Sequence, residues 1–177
     1  MLVLRDLYVE LQEIDKTVYK QKQRKVALVL CLIFAVIGLG LSAVFRHYFG
    51  NEDGSNTWVN LSGVLLGALI TIGVFSRFVT RPYYDELRYG WNLKRQALKI
   101  QNHRHRWEKL LEEKNETAAV VLAFYYKATL QVQSLEGNDF GYNDTKEREN
   151  KFLLQCQGLE VGADPSRYSI DMLLMMK

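Results

Sequence analysis

His103-x-His105 is the histidine pair whose spacing invites a metal reading. Zinc needs three or four converging ligands. Two residues apart on a helix do not face each other, and no Cys, Asp or Glu set completes a site, so solvated or lipid-facing imidazoles are expected. Cys31 sits in an apolar run and Cys156 in the polar remainder, so they read as plain apolar residues that cannot meet. Phe124-Tyr125-Tyr126 falls on an amphipathic stretch and reads as packing rather than a cofactor box. There is no Gly-rich phosphate loop, no nucleophile elbow and no supported acid pair. No catalytic residue, metal or cofactor is therefore expected, and the chain reads as a non-enzyme. The basic stretch Lys94 to Lys109, with Trp107 inside it, raises nucleic-acid binding. A formal net charge of only +3 and the lack of a recognisable module argue against it.

The chemistry that does stand out is packing. Gly63-x-x-x-Gly67, with Asn60 before it and Thr71 after it, makes a helical groove that admits another backbone. Ala35, Gly38 and Ser42 lie at similar spacing in an earlier apolar run. Folding the chain between the runs puts Ser42 opposite Asn60 to Leu61, and Ala35 opposite Gly67 to Ala68. These small-residue faces either meet each other or contact a second subunit or another protein.

The elements that carry them are two apolar runs, Val26 to Phe45 and Trp58 to Val79, separated by the polar stretch Arg46 to Thr57. At about 1.5 Å per residue, each run can cross a hydrocarbon core of about 30 Å. The short turn-rich connection returns the second run as a hairpin. Polar or amphipathic residues precede the first run, so it reads as a retained anchor rather than a cleaved signal. Lys and Arg set the orientation. Arg5, Lys16, Lys20, Lys22, Arg24 and Lys25 precede the first run; Arg77, Arg81, Arg88, Lys94 and Arg95 follow the second; the connection holds Arg46 alone. Both termini are expected in the cytoplasm. The basic residues flanking the runs, Lys20, Lys22, Arg24, Lys25, Arg77, Arg81 and Arg88, are candidates for anionic-lipid contact.

Val3, Leu7, Leu11, Ile14 and Val18 recur at helical spacing, so residues 1–25 read as an N-terminal amphipathic helix entering the first span. Arg81-Pro82 ends the second span. A helix follows from Pro82 to about Lys114, with Leu93, Ala97, Ile100, Trp107 and Leu111 on one face. Asn115 marks a boundary before a helix from Glu116 to about Leu135. A loop from Gly137 to Asn143, a helix from Thr145 to Leu159 and a short helix after Asp164-Pro165 complete the pattern. No strand periodicity competes. Residues 58–110 carry net +6 and residues 111–177 net −4, so the basic part adjoins the spans.

Ile14-Asp-Lys-x-x-Tyr19, Trp58-Val-Asn-Leu-Ser-Gly-Val-Leu-Leu-Gly67, Trp91-Asn-Leu-Lys94 and Phe124-Tyr-Tyr126 followed by Gln131 resemble a family of short bacterial membrane proteins known only as a domain of unknown function. The resemblance runs from about residue 12 to 137. It implies a bacterial inner membrane and a two-span plan, and it brings no activity and no catalytic residue. The first eleven residues and the Met-rich end look like additions.

The fold class expected is an all-α membrane protein. It has an N-terminal amphipathic helix (1–25), a transmembrane hairpin (26–79) and a cytoplasmic helical module (82–177). The function expected is that of an accessory or scaffolding protein that presents the module to a larger membrane protein complex or to a second copy of itself. Leu93, Ile100, Trp107, Leu122 and Tyr125 are the candidate association residues. The alternative is a lipid-surface module whose basic helix senses or organises anionic lipid.

Overall fold

The computed structural model describes residues 10–51 and 55–176. Among them the regular structure is entirely helical. The α-helices are α1 (Lys16–Phe49), α2 (Thr57–Phe78), α3 (Asp85–Gln101), α4 (Arg104–Glu112), α5 (Glu116–Glu136) and α6 (Asp139–Leu159), with 3-10 turns at Pro82–Tyr84, Pro165–Arg167 and Ile170–Met176. The chain forms two compact units. One is Lys20–Asp85; the other combines the residues up to Tyr19 with those from Glu86 onward.

The first unit is a hairpin of α1 and α2. Both helices are long and apolar enough to cross a membrane. Only 6% and 17% of their most apolar stretches is buried, so the rest of the chain leaves them largely uncovered. Leu39, Val36, Leu65 and Ile72 are 69%, 74%, 58% and 64% exposed. The sides that face each other carry the small residues instead. Asn56 precedes α2 but makes no side-chain cap. Its amide is used across the connection, where its Oδ1 accepts from the Asn51 N–H at 2.9 Å and its Nδ2 donates to the Asn51 carbonyl at 3.2 Å. Arg81 is extended, and Pro82 opens the next turn without needing an N–H there.

The expected N-terminal helix is corrected. Residues 10–15 are not helical, and α1 begins at Lys16. The Asp15 carboxylate accepts from the Thr17 and Val18 N–H groups at 2.7 and 3.1 Å, which caps the helix and ends it upstream. Val3 and Leu7 lie outside the described residues.

In the second unit α5 is the central helix. It buries residues around its whole circumference, from Ala118 through Phe124 to Leu135. It packs against α4, α6 and the Pro165–Arg167 turn. The expected helix from Pro82 to Lys114 is broken at Asn102 and His103, giving α3 and α4. The stripe explains the break. Arg104 interrupts it, and the turn keeps Trp107 and Leu111 in the core while Arg104 stays partly exposed beside Glu108. Lys114 then takes a left-handed φ of 59°, and the Asn115 N–H reaches back to the Leu110 carbonyl at 3.0 Å, a Schellman closure. The Asn115 side chain caps α5 by accepting from the Ala118 N–H at 3.0 Å.

The expected loop from Gly137 to Asn143 shrinks to Gly137 and Asn138. Gly137 adopts φ 74°, a left-handed conformation that suits glycine. Asn138 caps α6 through the Gly141 N–H at 3.0 Å. Asp144, expected at a helix start, lies inside α6 and pairs with Arg148 at 3.0 Å. The segment after α6 returns to the core. Tyr168 stacks on Phe124 with centroids 3.8 Å apart, and its hydroxyl donates to Gln96 Oε1 at 2.8 Å. Burial pushes the Tyr168 phenol well above its usual pKa.

Candidate functional site

The seam of the hairpin is built by two glycines. A Cβ added at Gly63 would lie 2.6 Å from the Ser42 Cα and N, and one at Gly67 would lie 2.6 Å from the Gly38 Cα. Only glycine lets the backbones come this close. Ser42 donates to Asn60 Oδ1 at 3.2 Å, and Thr71 donates back to the Gly67 carbonyl at 2.8 Å, so these polar groups are satisfied beside apolar surroundings. Gly38, Ser42, Asn60, Gly63, Gly67 and Thr71 thus share one intrachain face. Ala35 does not share it; it is exposed. A four-residue step back from Gly38 reaches Phe34, whose ring lies 3.5 Å from where a Gly38 Cβ would be. The contact register is therefore Gly38 to Gly67, about one turn from the expected Ala35 to Gly67.

The basic residues at the other end of the hairpin pack on aromatic faces. Lys22 Nζ stands 5.1 Å from the Tyr83 ring centroid, and the Arg81 guanidinium 4.7 Å from that of Phe78. Both are cation–π distances. Lys20 is half-buried, Arg24, Lys25 and Arg77 are exposed, and Arg88 is half-buried on α3 in the other unit.

The expected association residues, from the α3–α4 stripe and from α5, are corrected. Leu93, Ile100 and Trp107 are 0% exposed, and Leu122 and Tyr125 are also buried. They form the core of their own unit with Phe124, Phe152 and Cys156. Residues of the chain's own α5 pack with the stripe in this core.

Two polar constellations were not anticipated from the sequence. In the first, the main chain of Gln12 is held by side chains. Its N–H donates to the Tyr89 hydroxyl at 2.9 Å, its carbonyl accepts from Gln131 Nε2, and Tyr89 donates to Gln131 Oε1 at 2.9 Å. The three residues close a ring of hydrogen bonds that fixes the segment before α1 to α3 and α5. Tyr19 supports it, buried against Gly90, where an added Cβ would meet its hydroxyl at 2.6 Å. Burial raises the Tyr89 phenol pKa, against its hydrogen bonds with Gln12 and Gln131, which lower it. Gln131 already stood in the family-like pattern, but nothing local pairs it with Gln12.

In the second, Glu149 lies on α6 with its side chain 2% exposed, between Lys127 at 3.1 Å and Lys146 at 2.5 Å. Burial pushes its carboxyl pKa up, but the two lysines outweigh this and hold it below the ordinary carboxylate value. A carboxylate clamped by two cations is an ion-pair brace.

Beside this brace, α4, α5 and α6 enclose a groove of about 420 Å³. Its rim holds Arg104, paired with Glu108 at 2.9 Å, and Arg148 and Lys151; Leu122, Tyr126 and Phe152 lie beneath. The lining is charged and open, and it shows no nucleophile aligned with a base. His103 precedes α4 and His105 sits in its first turn. No group of three or more potential metal ligands converges among the described residues.

Residues 9–173 match a family model described as a protein of unknown function, DUF3087. The chain belongs to that family. No curated protein and no solved structure matches it. The DUF3087 match takes in the Gln12 clamp, both long apolar helices, the Glu149 brace and Tyr168. The segment after residue 137 is thus part of the family pattern, which corrects the shorter extent read from the motifs.

Proposed function

We propose that the chain is a non-enzymatic accessory protein of the bacterial inner membrane. In this reading α1 and α2 span the bilayer, both termini are cytoplasmic, and the helical unit is presented to a partner protein complex. The observation that carries the reading is the outward apolar surface of α1 and α2. Leu28, Leu32, Val36, Leu39, Leu65, Leu69 and Ile72 are all exposed. Leaving seven side chains exposed to this extent in water would cost on the order of 10 kcal/mol, comparable to the whole stability of a typical domain. A bilayer removes that cost, and the Lys/Arg asymmetry across the apolar runs supports the orientation. With the core of the module closed by its own residues, a partner would meet its surface, and the charged groove over Leu122 and Phe152 is the surface that offers shape and paired charge.

A lipid-surface role is the second reading, and one observation favours it. Trp91 and Leu98 on α3 are 65% and 48% exposed, with Lys94, Arg95 and Lys99 around them. This is the composition of an interfacial helix face. Gentle detergent extraction of the full chain, followed by sizing and identification of co-purifying proteins, separates the two. The accessory reading predicts a complex that is lost on Lys151→Glu and kept on Trp91→Ala. A chain that runs alone, and whose vesicle binding is lost on Trp91→Ala, supports the lipid-surface reading instead.

A further inference from the structure

We propose that the open end of the hairpin holds one acyl chain of an anionic phospholipid, with the lipid phosphate at the Lys25 rim; this rests on the hairpin lying in a bilayer. The seam closes tightly where Gly63 and Gly67 meet Ser42 and Gly38. Beyond Thr71, Gly73 has nothing within 4 Å and the side of α2 toward α1 carries larger residues. There α2 presents Val74 and Phe75, and α1 presents Leu30 and Ile33. These side chains hold the helices apart and enclose a cavity of about 280 Å³.

The Pro82–Tyr84 turn folds back across this end. The Tyr84 ring meets Phe75 edge-on, with centroids 5.9 Å apart. Tyr83 lines the cavity and carries Lys22 over its face at 5.1 Å, and Lys25 stands at the rim. The inside is therefore hydrocarbon and the mouth is cationic and phenolic. Water would find no hydrogen-bond partners along Leu30, Ile33, Val74 and Phe75, whereas a hydrocarbon tail matches them. Tyrosines favour the headgroup level of a bilayer, which sets the mouth where a phosphate lies. Lys25 complements that phosphate and gives an anionic lipid the advantage over a zwitterionic one.

Native mass spectrometry of the full chain in detergent tests this, with phosphatidylglycerol and phosphatidylcholine of matched tails as probes. The expected result is one tightly held lipid, with phosphatidylglycerol favoured by about fivefold, the attraction of one well-placed cation. Lys25→Gln should bring the two lipids within about twofold of each other. Leu30→Trp fills the cavity and should weaken both roughly tenfold, the loss expected when about two methylenes leave apolar contact. Val74→Phe, a milder filling, should act in the same direction if Leu30→Trp fails to fold. Equal binding of the two lipids by the wild type, or unchanged binding in the filling variants, overturns the proposal. Carbonate washing of membranes from the same cells keeps the two ideas apart. A chain released by carbonate contradicts the bilayer reading itself, while a retained chain with unaltered lipid binding contradicts the cavity assignment alone.

Discussion

Replacing Gly67 by alanine should loosen the hairpin, and the size of the effect follows from a comparison with Gly73. Both glycines lie inside α2, so each alanine gains the same helix propensity, about 0.5–1 kcal/mol. Their surroundings differ. A Cβ at Gly73 has nothing within 4 Å, whereas one at Gly67 falls 2.6 Å from the Gly38 Cα and 2.9 Å from its N. Those are backbone atoms and cannot rotate away, so α1 and α2 must separate. Overpacking of this kind typically costs about 1–3 kcal/mol. The propensity term cancels in the difference, so Gly67→Ala should be about 1–3 kcal/mol less stable than Gly73→Ala. Thermal and SDS unfolding of the full chain in detergent micelles, followed by helical circular dichroism, measures this directly. Gly63→Ala, facing Ser42, should behave like Gly67→Ala. Equal stability of Gly67→Ala and Gly73→Ala would refute the seam.

Three further outcomes follow from the helical unit. Leu93→Ala should destabilise it by about 2–5 kcal/mol in denaturant melts, because the side chain is fully buried in the unit's own core; a variant of wild-type stability that loses only a partner would restore Leu93 to an association surface. Tyr89→Phe removes the hydroxyl that both accepts from Gln12 and donates to Gln131; amide exchange of residues 10–15 should rise while that of α5 stays unchanged, at a cost of about 0.5–1.5 kcal/mol per hydrogen bond. Glu149 has its carboxyl pKa lowered on folding, so its stabilisation is present above the ordinary value of 4.5 and is lost as pH falls below it; Glu149→Gln should flatten that acid limb in melts taken at successive pH values, and an unchanged limb would show that the brace does not couple to protonation.

The hairpin was legible because its signals are local: two uncharged runs, a turn-rich connection, and glycines at a four-residue spacing that leaves a groove on one face. The Asn115 boundary and the Pro82 turn were legible for the same reason, since each is a residue whose own backbone or side chain ends a helix. The start of α1 was missed because an apolar stripe reads through Asp15, while the carboxylate that caps Thr17 and Val18 competes with the stripe and wins. The break between α3 and α4 was visible only as Arg104 in an apolar stripe. Which surface covers Leu93, Ile100 and Trp107 could not be read from the stripe, because the covering helix is a separate segment of the chain. The Gln12, Tyr89 and Gln131 ring and the pairing of Glu149 with Lys127 join residues far apart in sequence, and no spacing rule reports such contacts.

The claim that the chain spans a membrane with both ends in the cytoplasm is tested most directly by cysteine accessibility. In a background with Cys31→Ser and Cys156→Ala, single cysteines are placed at Ser55, in the connection between α1 and α2, and at Phe140, which is 91% exposed on α6. Intact cells are treated with a membrane-impermeant maleimide, before and after permeabilisation. Labelling of Ser55→Cys in intact cells, with labelling of Phe140→Cys only after permeabilisation, is the predicted result. Labelling of Phe140→Cys in intact cells, or of neither site until the membrane is opened, would contradict the two-span topology.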